Sequence, residues 1–303
     1  MSFRLKPGAP LSRQVRRLMD RQLDAAIACL DTPSAAPSVD DVHEARKHVK
    51  KARALLRLVR SALGGEYGPA NHRLRAANRL LGPIADASAV VATFDRLCDL
   101  EGERLAAPTV SAIRAGLLAR AGRVSQRAEA GRARARAVRL LKTQQRREND
   151  LKVKQRGKAA VVAAVKAAHR GSRDARDEAL ADPRPDALHA WRRRVKNQWY
   201  LLRLLDHACG GRLVDDQHRL EVLDACLGEL HNADLLVPLI REAPSLSPRA
   251  AARGLRSVRA YRRDLLGKAR TLGRCFDETP ASHAERVRAL WVSGRAGPWK
   301  RAA

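Results

Sequence analysis

The feature that most constrains the fold of this chain is an internal repeat. Residues 42–91 and 188–237 align at a constant offset of 146 without a gap, and 18 of the 50 aligned positions are identical. Such a repeat predicts two similar halves related by a pseudo-two-fold axis, with equivalent segments facing each other across it. We therefore divide the chain into an N-terminal half, residues 1–146, which includes a basic connector from about residue 120, and a C-terminal half, residues 147–303.

The identical positions include charged and glycine residues as well as apolar ones. Among them are the pairs His43/His189, Arg46/Arg192, Lys50/Lys196, Arg57/Arg203, Gly64-Gly65/Gly210-Gly211, His72-Arg73-Leu74/His218-Arg219-Leu220 and Leu81-Gly82/Leu227-Gly228.

The pattern within each half predicts an all-α fold. Runs rich in Ala, Leu and Arg carry apolar residues at three- and four-residue spacing, and alternating Val, Ile and Thr are absent. In each half we predict a first helix, at about 11–30 and 157–181. A loop that contains prolines follows it (Pro33 and Pro37; Pro183 and Pro185). A second helix, at about 41–63 and 186–209, then ends at Gly-Gly. A third runs to Leu81 and Leu227, a fourth begins just past Gly82 and Gly228, and a fifth follows Pro108 and Pro248.

The segment between the halves is strongly basic. Residues 120–158 hold fourteen Lys or Arg and three acids, with no proline. This composition is compatible with one long exposed helix or with a mobile linker, and the sequence alone does not choose between them.

The second helix of each half carries a cationic stripe. At 100° per residue, one face of the first copy holds His43, Arg46, Lys47, Lys50, Arg53, Arg57 and Arg60, and the opposite face holds Ala45, Val49, Ala52, Leu55, Leu56 and Val59. The second copy repeats this division, with His189, Arg192, Arg193, Lys196 and Arg203 opposite Trp191, Val195, Leu201, Leu202 and Leu205. A solvated helix face usually mixes acids with its basic residues to limit repulsion. An uninterrupted, duplicated stripe instead favours an anion site.

The overall charge supports a polyanionic partner. Sixty Lys and Arg against 32 Asp and Glu leave a net charge of +28, and 45% apolar residues exclude a wholly disordered basic tail. Forty-eight of the cations are Arg, whose planar fork suits bidentate phosphate binding. Only ten residues are aromatic, which disfavours a site that stacks unpaired bases.

The remaining features suggest a cytoplasmic protein without a metal or cofactor. Five cysteines without a C-x-x-C pair are typical of buried thiols in a reducing compartment, and we find neither an apolar signal region nor a membrane span. No metal-binding histidine pattern, Walker loop or nucleophile elbow is present, so we expect no resident metal, no cofactor and no enzymatic activity.

The histidines of the repeat have different expected roles. His43 and His189 open the second helices, where we expect them to donate hydrogen bonds to phosphate oxygens beside the helix N-terminus. For His72 and His218, a structural role between helices and a binding role remain open. We expect His48, which is Arg194 in the second copy, to lie on the surface.

These motifs resemble a known family. The first copy contains the block His43-x-x-Arg46-Lys47-x-x-Lys50-x-x-Arg53-x-x-x-Arg57, followed by Leu81-Gly82-Pro83-Ile84-Ala85-Asp86. The second copy contains His189-x-x-Arg192-Arg193-x-x-Lys196 with Leu227-Gly228-Glu229-Leu230-His231-Asn232. Together these motifs resemble the CHAD domain, the conserved histidine α-helical domain. The resemblance extends from about Leu11 to about Phe276. The chain departs from the family pattern at Ala85-Asp86, where Arg-Asp is common, and at Asn232, where Asp is common.

The resemblance implies a fold and a function. The fold is two pseudo-symmetric helical bundles that enclose a central basic pore or groove. The function is non-catalytic binding of inorganic polyphosphate, with association to polyphosphate granules. The residues that we predict to bind polyphosphate are His43, Arg46, Lys47, Lys50, Arg53, Arg57, His72, Arg73, His189, Arg192, Arg193, Lys196, Arg203, His218 and Arg219. The alternative is a nucleic-acid-binding protein without sequence specificity, since a polycation of this size also binds DNA or RNA through the backbone.

Overall fold

The repeated apolar spacing produces helices throughout the part of the chain that the structure describes. This structure is a computed structural model, which describes residues 3–31, 38–101, 107–126, 128–147, 157–241 and 247–293. Within these ranges no strand is present, which confirms the all-α class. The α-helices are α1 (Leu11–Leu30), α2 (Val39–Leu58), α3 (Arg60–Leu63), α4 (Tyr67–Leu80), α5 (Gly82–Glu101), α6 (Ala107–Gln126), α7 (Ala128–Arg146), α8 (Gly157–Ala181), α9 (Pro185–Leu205), α10 (Val214–Arg241), α11 (Pro248–Leu272) and α12 (Pro280–Ser293).

The first helix of each half, predicted over residues 11–30 and 157–181, is confirmed by α1 and α8. The second begins slightly earlier than predicted. In α2 the cause is a capping box, in which Asp41 N donates to Ser38 Oγ at 3.1 Å and Ser38 N donates to Asp41 Oδ2 at 2.8 Å. The loop predicted around Pro33 and Pro37 lies outside the described residues.

The second helices also end earlier than residues 63 and 209. Helix α2 stops at Leu58, and the four-residue α3 continues the chain to the Gly-Gly pair. Helix α9 stops at Leu205 and is followed by a 3₁₀ turn over Asp206–Cys209. Gly210 closes this turn with a φ of 70°, a left-handed conformation that glycine adopts without a Cβ clash.

The predicted break at Leu227-Gly228 is wrong. Helix α10 runs without interruption through Gly228, whereas the first copy breaks at Leu81 and gives two helices, α4 and α5. The physical difference is Pro83, which lies in the first turn of α5 where its missing N–H is tolerated. Its counterpart Glu229 has an N–H that continues the α-helical hydrogen-bond pattern.

Residues 128–146 of the basic connector form neither a long exposed helix nor a mobile linker, the two forms that the sequence left open. This segment is α7, which packs against α1 and α4 and buries Ala137 and Leu141 completely. Gln144 on the same face is also buried and accepts a hydrogen bond from Arg73 Nε at 2.9 Å. One face of α7 therefore belongs to the core, while residues 127 and 148–156 of the connector lie outside the described residues.

The core is continuous across both halves of the chain. The predicted apolar faces of the second helices are at most 3% exposed and belong to one buried cluster, which includes Ala45, Val49, Ala52, Leu55, Leu56 and Val59 from α2 and Trp191, Val195, Leu201, Leu202 and Leu205 from α9. Burial of each large apolar side chain contributes about 1.5–3 kcal/mol. This burial fixes the rotation of both helices and so determines where their cationic faces point.

A buried polar cluster holds the back of α9 against α8 and α12. The amide of Gln198 donates to His169 Nδ1 at 3.1 Å and to His283 Nε2 at 3.4 Å. His169 Nε2 donates to the carbonyl of Glu278 at 2.8 Å, and His283 Nδ1 lies 3.2 Å from the Glu278 carboxylate. These contacts fit two neutral imidazoles, and burial lowers the pKa of His283 to about 4.

The cysteines are free thiols, as expected, but only Cys209 and Cys226 are buried. Cys29, Cys98 and Cys275 are partly exposed, so the expectation that all five are buried is wrong. None of the helices in the described ranges is long and apolar enough to cross a lipid bilayer.

Candidate anion-binding site

The two helices that carry the cationic stripes, α2 and α9, pack against each other. They run antiparallel: Glu44 near the start of α2 lies within electrostatic range of Tyr200 near the end of α9. Arg57, near the end of α2, lies instead in range of Arg194, in the first half of α9. The two stripes therefore meet along one contact instead of facing opposite sides of the molecule.

Four cationic side chains converge at this contact, and we call Arg46, Lys50, Arg192 and Lys196 the inner cluster. Lys50 is half-buried, and the other three lie within electrostatic range of it. Burial lowers the pKa of the Lys50 ammonium group to about 7, and the three neighbouring cations contribute in the same direction. Like charges held together in partly desolvated surroundings repel one another, so an anion that enters the cluster relieves this repulsion.

Asp224 on α10 balances part of this charge. Its Oδ2 accepts a hydrogen bond from Lys196 Nζ at 2.6 Å, and its Oδ1 lies 3.5 Å from Arg192 Nε. Within the described residues Lys50 makes neither a hydrogen bond nor an ion pair. The position that aligns with Asp224 at the offset of 146 is Asn78, which carries no charge. The cluster therefore keeps a net positive charge.

The Leu-Gly motifs help to place the two arginines of the inner cluster. Arg46 Nη1 donates a hydrogen bond to the carbonyl of Gly82 at 3.1 Å. In the second copy, a Cβ atom on Gly228 would lie 3.0 Å from Arg192 Nη2, so the absence of a side chain makes room for the guanidinium group. Each Arg of the repeat thus packs against the Gly of its own copy, a relation that the sequence showed only as a repeated pair.

A second group of arginines, which we call the outer cluster, consists of Arg53, Arg57, Arg193 and Arg194. Arg193 lies within electrostatic range of Arg53, and Arg194 within range of Arg57. Arg53 Nε donates to Asn71 Oδ1 at 3.1 Å. Burial lowers the pKa of Arg57 below its usual value, and within the described residues its guanidinium group makes no hydrogen bond. Its N–H donors are therefore available to an anion.

The other stripe residues lie at the edges of this surface. Partial desolvation of the His43 ring, together with nearby Lys47 and Lys50, lowers its pKa. Lys47 Nζ pairs with Glu44 Oε1 at 2.6 Å, on a part of α2 that is exposed. The guanidinium carbon of Arg203 lies 4.5 Å from the ring centroid of Trp199, a cation–π contact.

His43 and His189 are each the fifth residue of their helix, about one turn past its first residue. Hydrogen bonds from these histidines to phosphate oxygens stay a prediction. The His189 ring packs 4.4 Å, centroid to centroid, from the ring of His231 on α10. Within the described ranges no group of three or more His, Cys, Asp or Glu side chains is arranged to hold a metal ion.

The predicted binding residues on the third helices have neighbours outside both clusters. Arg73 binds Gln144 on α7, as described above, and Arg219 is exposed and lies in electrostatic range of Cys275. His72 and His218 are both exposed, so the interpretation as structural histidines between helices is wrong. The structure does not place these four side chains with the inner cluster.

His48 is not a surface residue. It is half-buried between α1 and α2, where its Nδ1 lies 2.9 Å from Gln22 Oε1. Asn232, one of the two departures from the family pattern, donates from Nδ2 to Thr93 Oγ1 at 2.8 Å and so links α10 to α5. The side chains of the other departure, Ala85-Asp86, lie outside the described residues.

Sequence reasoning missed three charged residues of this surface. Lys51 lies in electrostatic range of Arg203, and Arg194 in range of Arg57. Arg194 occupies the position of His48, which at 100° per residue lies off the cationic stripe, so the helical pattern did not indicate it. Asp224 gave no signal, because its repeat partner is uncharged and its contact with α9 appears only in the folded chain.

The chain is similar to a known protein family and to a solved structure. A model of the CHAD domain matches residues 17–241. The crystal structure of the CHAD domain from the plant Ricinus communis is similar, with a TM-score of 0.58 and 16% sequence identity over 97% of this chain and 95% of that chain. A likeness at this identity concerns the fold. No curated protein matches the sequence.

Proposed function

Because the chain belongs to the CHAD domain family, we propose that it is a non-catalytic binding protein for inorganic polyphosphate. The family is associated with polyphosphate binding. The observation that carries the proposal for this chain is the inner cluster, in which four basic side chains from two helices converge, with Asp224 as the carboxylate that contacts two of them. We also propose that the halves arose by duplication and enclose a basic groove along this contact, and that binding directs the protein to polyphosphate granules.

The chemistry of the clusters suits a linear chain of phosphates. Each phosphate unit offers negatively charged oxygens, and charge-assisted hydrogen bonds from Arg and Lys are stronger than neutral ones. The inner and outer clusters lie along the same pair of helices, so successive phosphate units have successive cations to contact. Such binding releases counterions, and its affinity falls steeply as salt concentration rises.

A charge-matched pair of variants tests this proposal. In the first, Arg46, Lys50, Arg192 and Lys196 are all replaced by Ala. In the control, four exposed arginines of α11, Arg249, Arg256, Arg263 and Arg270, are replaced by Ala. Both variants lose four basic side chains, and only the first loses the inner cluster.

We expect the inner-cluster variant to lose retention on immobilised long-chain polyphosphate at physiological salt, and the α11 variant to keep most of it. Circular dichroism should show the helical content of the parent in both. Equal losses in the two variants would show that net charge, and not the inner cluster, accounts for binding, and parental retention by the first variant would reject the site.

Nucleic-acid binding is the second candidate, and the exposed arginines of α11 are the observation that favours it. A competition experiment separates the two functions. We expect excess polyphosphate to displace bound duplex DNA at physiological ionic strength. If DNA stays bound, the nucleic-acid function replaces the one proposed here.

We propose no catalytic role for either cluster. Phosphoryl transfer needs a metal held by carboxylates or a nucleophile with an adjacent base. In the described residues, the carboxylate nearest to the inner cluster, Asp224, is engaged by Lys196 and Arg192. Incubation of the protein with polyphosphate and Mg²⁺ or Mn²⁺ checks this point, and release of phosphate above a protein-free control would contradict it.

A further inference from the structure

Lys50 and Lys196 occupy equivalent positions of the repeat, but their amino groups differ in their surroundings. Lys196 Nζ donates to Asp224 Oδ2 at 2.6 Å, so its amino group is held in an ion pair. Lys50 makes no ion pair or hydrogen bond within the described residues, and the repeat partner of Asp224 is the neutral Asn78. Of the two equivalent positions in the repeat, one thus holds a lysine with an ion-pair partner and the other holds a lysine without one in the described residues.

The charged groups around Lys50 favour its neutral form. From its own helix, Arg46 and His43 lie in electrostatic range, and α9 adds Arg192 and Lys196. Asp224 on α10 acts in the opposite direction, but with a smaller effect on Lys50 than Lys196, Arg46 or Arg192. With its pKa lowered to about 7, chiefly by burial, Lys50 has a neutral fraction near pH 7 about a thousand times larger than that of an exposed lysine.

A neutral lysine amine is a nucleophile, and its neighbours select the electrophile. The guanidinium and ammonium groups of Arg46, Arg192 and Lys196 favour a reagent that carries a phosphate group. An acyl phosphate combines such a group with an activated carbonyl carbon, and its phosphate is the leaving group.

We propose that Lys50 is an acylation site for small acyl phosphates, in which the inner cluster binds the phosphate and the Lys50 amine receives the acyl group. The inference rests on the phosphate binding proposed above. The Nζ lone pair forms a bond to the acyl carbon, and the bond from that carbon to the phosphate oxygen breaks. The proton lost by the amine leaves with the phosphate, so the products are an amide and hydrogen phosphate.

Acylation has a consequence for the site. The amide carries no charge, so the inner cluster loses one of its four cations, and the acyl group occupies space beside Arg46 and Arg192. We expect acylated protein to bind polyphosphate more weakly than unmodified protein. The site would then respond to the level of acyl phosphates as well as to polyphosphate.

The test uses the full chain, acetyl phosphate and mass spectrometry of tryptic peptides. At pH 8 we expect Lys50 to be acetylated at least about tenfold faster than the exposed Lys268 on α11. Lys196 should react no faster than Lys268, because the ion pair with Asp224 occupies its amino group. Equal rates at Lys50 and Lys268 would overturn the proposal.

Exchanging the acid between the two copies provides a matched control. In Asn78→Asp the new carboxylate should slow acetylation of Lys50, and in Asp224→Asn the loss of the carboxylate should speed acetylation of Lys196. A Lys50 rate unchanged by Asn78→Asp, with the helical circular dichroism retained, would show that pairing does not govern its reactivity and would contradict the argument.

A neutral acetyl ester separates nucleophilicity from phosphate recognition. Replacing Arg46 and Arg192 by Gln should slow the reaction of Lys50 with acetyl phosphate several-fold more than its reaction with the ester. An equal effect on both reagents would reject recognition of acyl phosphates. The result also distinguishes the two proposals, since rapid acetylation of Lys50 in a protein that fails to retain polyphosphate would reject only the proposed function.

Discussion

The stripes on α2 and α9 share their positions in the repeat but differ in how their charge is balanced. On α9, Lys196 and Arg192 have the carboxylate of Asp224, whereas the repeat places Asn78 opposite α2. The second copy therefore holds its cations in a fixed arrangement. The first copy contributes Lys50, whose charge responds to its surroundings.

The outer parts of the two stripes differ as well. Trp199 on α9 supports the guanidinium group of Arg203, while its repeat partner on α2 is Arg53, itself a cation. Arg57, the partner of Arg203, is instead deeply placed among other arginines. On α9 a carboxylate faces Lys196 and Arg192 and an aromatic ring faces Arg203, whereas on α2 Lys50 makes neither a hydrogen bond nor an ion pair within the described residues. The two copies of the repeat thus share a pattern of cations but differ at positions 78 and 224 and at 53 and 199, which changes the partners of those cations.

Removal of Asp224 should have the largest effect on this difference. In Asp224→Asn, Lys196 and Arg192 lose their carboxylate and become available to phosphate, so we expect polyphosphate affinity to rise about tenfold. The free energy of unfolding should fall by about 1–2 kcal/mol, because a half-buried charge-assisted hydrogen bond is lost. Titration at fixed salt and chemical denaturation measure the two changes.

Asp264→Asn is the matched control, because Asp264 is an exposed acid on α11 and the change in net charge is the same. We expect it to leave affinity within about twofold of the parent. An equal rise in both variants would mean that the carboxylate of Asp224 has no special relation to the site.

The change of polyphosphate affinity with pH should be smaller than the effect of removing Asp224. A bound anion favours charged Lys50 and raises its pKa above 7, so binding takes up a proton at higher pH. We expect polyphosphate affinity to be greatest below pH 7 and to fall about fivefold between pH 7 and pH 9.

Lys50→Arg separates this contribution from the titration of polyphosphate itself. The guanidinium group stays charged over the whole range, so the variant should lose most of the decrease between pH 7 and pH 9. The other titratable or charged groups near position 50, namely His43, Arg46, Arg192, Lys196 and Asp224, are unchanged. A parental pH profile in this variant would exclude Lys50 as the titrating group.

The smallest effect concerns the space beside Arg192. In Gly228→Ala the new Cβ would lie 3.0 Å from Nη2, so the end of the Arg192 side chain must move. We expect affinity for polyphosphate to fall about two- to threefold, while thermal stability holds or rises because Ala favours the interior of α10. Gly267→Ala on α11, where a Cβ meets no atom, is the control. A loss of stability in Gly228→Ala without a change in affinity would contradict this role for Gly228.

Local rules account for much of the fold. Apolar residues at helical spacing predict α1, α8 and the buried faces of α2 and α9, since burial of that face determines how each helix is rotated. It was harder to predict that the helix breaks after Leu81 but continues through Gly228. The two Leu-Gly motifs look alike, and whether the helix breaks depends on Pro83. The buried face of α7 was also missed, since the high charge of residues 120–158 hid the spacing of Ala137 and Leu141.

The binding site also has one part that the sequence predicts and another part that it does not. The repeat places Arg46, Lys50, Arg192 and Lys196 at equivalent points, and two-fold facing of equivalent segments predicts that they meet. Which cations acquire neutralising partners depends on side chains from other helices. Asp224 from α10 and Gln144 from α7 reach Lys196 and Arg73 only after folding, and neither acceptor repeats in the other copy. For this reason the sequence did not distinguish Arg73 from the residues of the inner cluster.

A crystal structure with bound tripolyphosphate addresses the site most directly. We expect ordered phosphates between α2 and α9, with oxygens within hydrogen-bond distance of Arg46, Lys50, Arg192 and Lys196, and with a terminal phosphate near Arg57. Phosphates bound only to the exposed arginines of α11, with the inner cluster unoccupied, would contradict the proposed site.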